Sequence, residues 1–372
     1  MGFERAVVTG GAGFLGSHVC EALLKRGTRV VCVDDFRTGS PDNLPDDPRL
    51  GVVVQDVAKP LDLLGDVDLV LHLACPASPV DYLSMPVDTL KVGGFGTLHA
   101  LELARRKDAR IVIASTSEVY GDPLEHPQRE TYWGNVNPVG PRSVYDEAKR
   151  FGEAMTCAFR GEYGVDTGIV RIFNTYGARM RPDDGRMIPT FVRQARAGEP
   201  LTVHGDGLQT RSLCHVDDLV RGLLSMAESD HPGPVNLGNP EEVTVLEVAR
   251  KVIELTGGTS AIEHVDAMTD DPRRRRPLGP AATAPTPRRD AAGVGTLAPR
   301  RRGLDAGCRG GGHAARRADA LGRQPDRRRA AGAVGPAGTG DQPRYQVALS
   351  AAPCDSKPLG SSAASYEQWS VL

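Results

Sequence analysis

The amino-acid sequence predicts a doubly wound α/β fold built on a parallel sheet. Short β-branched runs alternate with helical patterns in the first half, and the runs are apolar almost throughout. Strands buried on both faces of a sheet have this composition, and helices between consecutive strands make those strands parallel. The predicted strands are residues 6–8, 29–33, 69–73 and 110–114, and two predicted helices are residues 17–26 and 89–106.

The pattern loosens from about residue 177. Gly, Pro and Arg become frequent, and the predicted elements are a short strand at 201–203 and helices at 216–227 and 244–255. We expect a smaller, substrate-binding lobe over the carboxyl edge of the sheet, where open α/β sheets bind ligands. The predicted division is therefore a first, cofactor-binding domain over residues 1–176 and a lobe over residues 177–277, interleaved with the first.

The tail over residues 278–372 differs in composition from the rest of the chain. Ala, Gly, Pro and Arg dominate it, and lysine is absent before Lys357. It is interpreted as a disordered low-complexity segment, as a stretch read out of frame from GC-rich coding DNA, or as a nucleic-acid-binding tail. No aromatic residues interleave with its arginine clusters, which argues against the third interpretation.

Overall composition excludes several classes of protein. The 372 residues carry a formal net charge of −2, which gives no reason to expect a nucleic-acid or membrane partner. Seven cysteines are scattered without a Cys-x-x-Cys pair, so we expect neither a disulfide framework nor a metal site. No signal-peptide pattern or long apolar run is present, and we expect a cytoplasmic protein.

A glycine-rich loop follows the first predicted strand and opens the first predicted helix. Its spacing is Gly10-x-x-Gly13-x-x-Gly16, with Phe14 and Leu15 before the last glycine. Glycine permits the tight turn and a close approach of backbone N–H groups to a diphosphate, which the helix N-terminus also attracts. This context predicts a Rossmann dinucleotide site.

Carboxylates follow the second and third predicted strands. Asp34 lies about 20 residues beyond the loop, where a carboxylate binds the ribose hydroxyls of NAD and repels the extra phosphate of NADP. Asp56 and Val57 fit the adenine end of the cofactor. NAD is therefore the predicted cofactor, while Arg37 leaves NADP open.

Two groups of residues are candidates for the chemistry. Tyr145 and Lys149 are four residues apart in a helical stretch, so they share a face, and an ammonium beside a phenol lowers the phenol's pKa. Thr116, Ser117 and Glu118 follow the strand at 110–114, at the sheet edge where the nicotinamide is expected. Thr116 is suited to hydrogen-bond the hydroxyl that is oxidised, and the two residues after it are expected to face the neighbouring carbons of the substrate.

Longer motifs carry a family resemblance. In order, the glycine loop, Thr116–Gly121 and Tyr-x-x-x-Lys resemble the extended short-chain dehydrogenase/reductase family. More specific segments resemble the UDP-glucuronate decarboxylases (UDP-xylose synthases), and this resemblance extends from about residue 5 to residue 277. Those segments are YWGNVNPVGPRSVYDE (132–147), HLACPASP (72–79), RIFNTYG (171–177), GEPLTV (198–203) and PVNLGNPEE (234–242).

The resemblance implies an activity and its mechanism. UDP-glucuronate is oxidised at C4 with NAD as hydride acceptor, and Tyr145, assisted by Lys149, removes the C4 hydroxyl proton. The resulting β-keto acid loses carbon dioxide, and return of the hydride gives UDP-xylose and regenerates NAD. Glu118 orients the sugar ring or assists proton transfer at C5.

The resemblance also implies binding residues. Lys91, Asn174, Arg186 and Arg211 contact the substrate, mainly its diphosphate, and Arg275 approaches the sugar carboxylate or a phosphate. A homodimer is expected, with helices from about Thr89 and Tyr145 at its interface. The additional cofactor contacts are Thr38, Gly39, Leu73 and Thr175.

Two alternatives remain. The same scaffold supports a nucleotide-sugar 4-epimerase or 4,6-dehydratase; Ser117 argues against a dehydratase, which typically has an Asp there, and segment 132–147 argues against both. A non-catalytic NAD-binding protein is an alternative of another class. The intact Tyr145, Lys149 and Glu118 argue against it, while the unusual tail argues for it.

Overall fold

The computed structural model describes residues 2–267 and 272–278. Apart from Leu278, the predicted tail lies outside these residues, and its three interpretations stay predictions. No helix within the described ranges is long and apolar enough to cross a membrane. The cytoplasmic location stays a prediction as well.

Fourteen strands lie in the described residues, and they form one large sheet and three small ones. In chain order they are β1 (Arg5–Thr9), β2 (Arg29–Asp34), β3 (Leu50–Val54), β4 (Leu69–His72), β5 (Arg110–Thr116), β6 (Thr167–Ile172), β7 (Thr175–Tyr176), β8 (Leu201–His204), β9 (Thr210–Ser212), β10 (Cys214–His215), β11 (Val235–Leu237), β12 (Glu242–Thr244), β13 (Ile262–Val265) and β14 (Arg274–Arg275).

The large sheet has the order β11-β6-β5-β4-β1-β2-β3, and all its neighbouring strands are parallel. The chain moves outward in one direction from β1 to β2 and β3, and then in the other direction through β4, β5 and β6. The crevice beside β1, at the carboxyl ends of the strands, is the topological switch point where such sheets bind ligands. The predicted fold class is confirmed.

Eight α-helices connect these strands in the described residues. They are α1 (Phe14–Lys25), α2 (Pro79–Ser84), α3 (Pro86–Lys91), α4 (Thr97–Lys107), α5 (Ser143–Tyr163), α6 (Met187–Ala197), α7 (Val216–Glu228) and α8 (Val245–Thr256).

Each face of the large sheet has its own apolar core. On one face, α1 and α7 pack against the sheet through residues such as Leu23 and Leu223. On the other face, α4 covers the sheet through residues such as Leu101 and Leu103. Because the central strands are buried on both faces of the sheet, their sequences are nearly continuous apolar runs.

The second lobe has a separate small core. Helices α6 and α8 enclose β8, whose Leu201 and Val203 are fully buried. Strand β11, which also comes from the second half of the chain, joins the edge of the large sheet instead. The predicted boundary at residue 177 stays a prediction.

The predicted helix over residues 89–106 is broken into two helices. Between α3 and α4, residues Val92–Gly96 form a π-helical turn that contains three glycines. The Thr97 hydroxyl donates to the Gly93 carbonyl at 2.7 Å, and its oxygen lies 3.3 Å from Nε2 of the buried His72. A π-turn shifts the helix register, and such turns are frequent near functional sites.

Gly93 in this turn has no space for a side chain. A Cβ there would lie 2.5 Å from the Cβ of Ala148 on α5, between Tyr145 and Lys149, whereas a Cβ at Gly94 would meet only Phe151 at 3.7 Å. We expect Gly93→Ala to lower the free energy of unfolding by about 1–3 kcal/mol, because overpacking forces α5 to move. Urea denaturation measures this change.

Gly94→Ala is the matched control for that substitution. A Cβ at Gly94 would make only an ordinary van der Waals contact with Phe151, so we expect this substitution of a helical glycine to be neutral or to stabilise the fold by up to about 1 kcal/mol. Equal destabilisation by both substitutions would contradict the close contact between Gly93 and α5.

Candidate active site

The glycine loop brings backbone groups closer than any side chain permits. A Cβ on Gly16 would lie 2.0 Å from the carbonyl oxygen of Gly10, and one on Gly10 would lie 2.8 Å from the backbone of Ala74. Helix α1 begins after Gly13 with no side-chain cap and no acidic residue in its first turn. Its first N–H groups are therefore open to a diphosphate.

Asp34 ends β2 beside this loop. Its carboxylate accepts hydrogen bonds from the N–H groups of Ala12 and Phe36, each at 2.9 Å. Burial raises the pKa of Asp34, and these two hydrogen bonds partly oppose that effect. Because a carboxylate has about four acceptor positions, Asp34 both fixes the loop and keeps capacity for ribose hydroxyls.

Arg37 is held by carboxylates. Its guanidinium lies 2.6 Å from Asp35, 2.8 Å from Asp56 and 3.7 Å from Asp88. The Asp56 carboxylate is therefore paired with Arg37 in this structure. A guanidinium neutralised in this way attracts a 2′-phosphate weakly, which favours NAD over NADP.

A single large cleft connects the loop to the carboxyl edge of the sheet. Besides predicted residues it is lined by Arg179, Arg181 and Asp81, which the sequence analysis did not single out. The predicted residues that line it are Gly10, Gly13, Phe14, Leu15, Gly16, Asp34, Thr38, Val57, Leu73, Thr116, Ser117, Glu118, Tyr145, Lys149, Asn174, Thr175 and Arg186.

The remaining predicted residues, which are Gly39, Asp56, Lys91, Arg211 and Arg275, do not line the cleft, and Arg275 is connected to it through its ion pair with Glu118. Lys91 is exposed and pairs with Asp88 at 3.3 Å. Arg211 is buried, and its guanidinium donates to the carbonyls of Thr210 and Pro272 at 2.8 and 2.9 Å. Neither contacts the cleft in this structure, because each is held by a partner outside it. A Cβ on Gly39 would lie within 3.1 Å of the backbone of Ala12 and Gly13, so the glycine permits this segment to pack against the loop.

Tyr145 lies in the first turn of α5, buried against the end of β5. Its ring stacks on Tyr82 with centroids 5.3 Å apart, and its hydroxyl is near enough to Thr116 for that residue to lower the pKa of Tyr145. Lys149 lies one turn later, with Nζ 5.8 Å from the Tyr145 ring centroid. The structure thus brings together the predicted reacting residues.

The pKa of Tyr145 is shifted in the direction opposite to the prediction. Burial raises it above its usual value, and the nearby Cys75 and Glu118 add to the increase, while the Thr116 hydrogen bond opposes it. The Lys149 ammonium donates to the carbonyl of Ala114 at 2.7 Å. In this structure the desolvation of Tyr145 therefore outweighs the effect of the ammonium.

Glu118 is the centre of a mostly buried charged cluster, in which Arg275 is buried and Glu118 and Arg142 are partly exposed. Its carboxylate pairs with Arg142 at 2.6 Å and with both terminal nitrogens of Arg275, one of them at 3.0 Å. Burial alone raises the pKa of Glu118, but the two guanidiniums outweigh it and lower the pKa to about 2. Sequence reasoning missed Arg142, although it lies in the segment 132–147 that carried the family resemblance.

Arginines and an amide line the other end of the cleft. Arg186 precedes α6 and pairs with Asp184 at 2.7 Å. The buried side-chain oxygen of Asn174 and Nη1 of Arg179 have no hydrogen-bond partner among the described residues. Unpaired buried polar atoms in a cleft favour a polar ligand, because they are costly when left unsatisfied.

Comparison with known proteins identifies the family. The family model described as "NAD dependent epimerase/dehydratase family" matches residues 6–238. The chain belongs to this family, which confirms the predicted class and its NAD cofactor.

Curated relatives support the finer resemblance. The chain is 52% identical over 276 residues to UDP-glucuronic acid decarboxylase 1 of Arabidopsis thaliana, covering 73% of this chain and 63% of that protein. UDP-glucuronic acid decarboxylase 6 of the same plant is 50% identical, with 73% and 80% covered. The Danio rerio decarboxylase 1 is 48% identical, with 74% and 66% covered. The chain spans less than two thirds of the length of the first of these relatives.

Solved structures agree in fold at lower identity. UDP-glucose 4-epimerase of Thermus thermophilus in complex with NAD has a TM-score of 0.64 and 28% identity, covering 73% of this chain and 90% of that one. UDP-glucuronic acid 4-epimerase from Bacillus cereus, with UDP-glucuronic acid and NAD, has a TM-score of 0.65 and 27% identity at the same coverage.

Asp146, next to Tyr145, is a buried carboxyl whose Oδ1 has no hydrogen-bond partner among the described residues. Burial and the nearby Glu118 raise its pKa from 3.8 to about 7. The folded chain therefore keeps this proton at pH values where the unfolded chain has released it. Stability consequently falls as the pH rises from about 4 to about 7, by on the order of 3 kcal/mol.

We expect Asp146→Asn to remove this pH dependence. The variant should be more stable than the wild type by about 1–3 kcal/mol at pH 8 and nearly equal to it at pH 4. Thermal unfolding at both pH values measures the difference. Glu147→Gln, which alters the half-exposed neighbour, is the matched control; the same pH dependence of the stability change in both variants would contradict the assignment to Asp146.

Proposed function

We propose that the chain is an NAD-dependent UDP-glucuronate decarboxylase that forms UDP-xylose. The observation that carries the proposal is the buried cluster of Arg142, Arg275 and Glu118 beside Tyr145. Identities of about 50% to curated UDP-glucuronic acid decarboxylases support it.

The residues at the cofactor end fit NAD. The close glycine contacts leave room for a diphosphate over α1, and the carboxylate of Asp34 suits a ribose with free hydroxyls. Asn174 and Arg179 present unpaired polar atoms farther along the cleft. NAD held by these residues would supply a hydride acceptor for C4 and a hydride donor for the return step, and its positive nicotinamide charge would favour the Tyr145 phenolate.

The charged cluster favours a sugar with a carboxylate. Two guanidiniums pair with the carboxylate of Glu118, and the nearby Asp146, with a pKa of about 7, is only partly ionised at neutral pH, so the cluster keeps an excess positive charge. Nε of Arg275 also has no partner among the described residues, although the residue is only 4% exposed. A second carboxylate, supplied by the C6 group of a uronic acid, balances the charge and accepts this hydrogen bond.

Tyr145 and Thr116 act at C4. The phenolate form of Tyr145 removes the C4 hydroxyl proton, and Thr116 hydrogen-bonds the same oxygen. The 4-ketone is β to the C5 carboxylate, so loss of carbon dioxide moves the C5–C6 bond electrons into an enolate. The hydroxyls of Tyr145 and Thr116 stabilise the developing charge on O4, and a proton then adds to C5.

Glu118 has an orienting role in this scheme. With a pKa of about 2 it stays ionised at neutral pH, so it is a poor proton donor to C5. Its carboxylate instead holds Arg142 and Arg275 in place beside the sugar. The runner-up activity, a nucleotide-sugar 4-epimerase, would return a product that keeps its carboxylate.

We expect Tyr145→Phe to lower turnover of UDP-glucuronate by about 10²–10⁴-fold, because it removes the base at C4. Chromatography of the nucleotide sugars, with NAD added, measures UDP-xylose formation, and calorimetry should show that UDP-glucuronate still binds. Tyr163→Phe, at the exposed end of α5, is the control and should retain turnover. A C4 epimer as the only product would contradict the decarboxylase proposal.

We also propose a homodimer that pairs the helices around α3 and α5. The observation that supports it is a set of four exposed apolar side chains on neighbouring elements, because exposed apolar patches are common at protein interfaces. These side chains lie on α3, the π-turn and α5, and they are Val87, Leu90, Phe95 and Phe151.

Charged substitutions on this surface test the dimer. We expect the double variant Phe95→Glu, Phe151→Glu to be monomeric in size-exclusion chromatography with light scattering, because paired surfaces would bury four carboxylates. Trp133→Glu, at a still more exposed aromatic outside the surface, should leave the dimer intact. A monomeric wild type would contradict the proposal.

A further inference from the structure

Arg275, whose guanidinium pairs with Glu118, lies in the segment of residues 272–278. Of the four consecutive arginines at 273–276, Arg273 and Arg274 are exposed and Arg275 is buried. Strand β14 runs parallel to β9, and the Ser212 hydroxyl donates to the Arg275 carbonyl at 3.2 Å. Strand β9 therefore fixes one side of this segment.

Gln128 fixes the other side. Its N–H donates to the carbonyl of Arg276 at 2.9 Å, and its side-chain oxygen accepts from the N–H of Arg276 at 2.8 Å. Its carbonyl accepts from the N–H of Leu278 at 2.8 Å. These three hydrogen bonds surround the backbone immediately after Arg275.

Gln128 is itself held by a hydrogen-bonded path that returns to Glu118. Its side chain is completely buried, and its carbonyl accepts from the amide of Asn236 at 3.0 Å. The amide oxygen of Asn236 accepts from the Tyr120 hydroxyl at 2.8 Å. Tyr120 and Glu118 lie in the same 3₁₀ helix, Ser117–Tyr120. Both members of the Glu118–Arg275 pair are therefore attached to Gln128.

We propose that Gln128 is a positioning residue that sets Arg275 against Glu118 and thereby determines the preference for a carboxylated sugar. This inference rests on the proposed function. The side chain of Arg275 starts from the backbone between β9 and Gln128. The position of its guanidinium therefore depends on where these two neighbours hold the backbone. A displacement of about 1 Å of a group that binds the substrate can cost about a hundredfold in rate.

The preference for a carboxylate is measured with two ligands. Calorimetric titration of the full chain, carried out with NAD present and in the Tyr145→Phe background that binds UDP-glucuronate without turning it over, gives the affinities for UDP-glucuronate and for UDP-glucose, which lacks the carboxylate. The ratio of the two affinities should fall about tenfold in Gln128→Met, because this substitution keeps the volume and removes the acceptor for Arg276. Affinity for UDP-glucose should stay unchanged, which a general loss of structure would not produce.

Gln194→Met is the matched control. Gln194 is also buried, and its side-chain oxygen accepts from the N–H of Thr202 at 3.2 Å, but it lies in the second lobe's core, on α6. The ratio should remain at the wild-type value in this variant. An unchanged ratio in Gln128→Met, or an equal loss in both variants, overturns the inference.

A second substitution covers the case in which Gln128→Met does not fold. Tyr120→Phe removes the hydroxyl that joins the helix of Glu118 to Asn236, and it should lower the ratio in the same direction; an unchanged ratio overturns the inference. A wild type that binds both ligands equally, and does not turn over UDP-glucuronate, overturns the proposed function together with this inference. A wild-type preference that Gln128→Met retains overturns the inference alone.

Discussion

The buried carboxylate of Glu118 joins three parts of the chain that are far apart in sequence. It follows β5, it pairs with Arg142 just before α5, and it pairs with Arg275 on β14. Taking charged groups out of water is costly, and removal of one partner from a buried pair typically costs about 3–5 kcal/mol. The positions of α5, and of Tyr145 in its first turn, therefore depend on this cluster being complete.

The net charge of the cluster around Glu118 also bears on which sugar the cleft prefers. Two guanidiniums paired with the one carboxylate of Glu118 leave an excess positive charge, which the carboxylate of the proposed uronic acid would balance. At the opposite end of the cleft, glycine contacts and a helix N-terminus without acidic residues suit the diphosphate of the cofactor. In the proposed complex the C4 hydroxyl of the sugar lies between the charged cluster and the cofactor, which accounts for the place of Tyr145 and Thr116.

Local patterns in the sequence predicted the parts of the fold and site that depend on local rules. The alternation of apolar runs with helical stretches predicted the parallel sheet, and the spacing of Gly10, Gly13 and Gly16 predicted the cofactor loop. Tyr145 and Lys149 share a helix face because they are four residues apart. The break at Val92–Gly96 was not predicted, because it depends on packing of Gly93 against Ala148 rather than on helical periodicity.

The features that the sequence could not predict depend on contacts between distant residues. Arg142 and Arg275 reach Glu118, and Gln128 reaches the backbone of Arg276, only after distant segments have packed. The four consecutive arginines contain no signal that shows which of them is buried. Lys91 and Arg211 were expected in the cleft, but Asp88 and two backbone carbonyls hold them outside it. The raised pKa of Tyr145 reflects burial, which the Tyr-x-x-x-Lys spacing does not report.

We propose that the positive cluster around Glu118 directs NAD-dependent oxidation at C4 toward loss of the neighbouring carboxylate. Proton NMR of UDP-glucuronate, incubated in D₂O with the protein and NAD, distinguishes the outcomes. We expect UDP-xylose with deuterium from the solvent at C5, release of carbon dioxide and no net accumulation of NADH. A product that retains the carboxylate, or UDP-xylose without deuterium at C5, would show that the cluster does not act in this way.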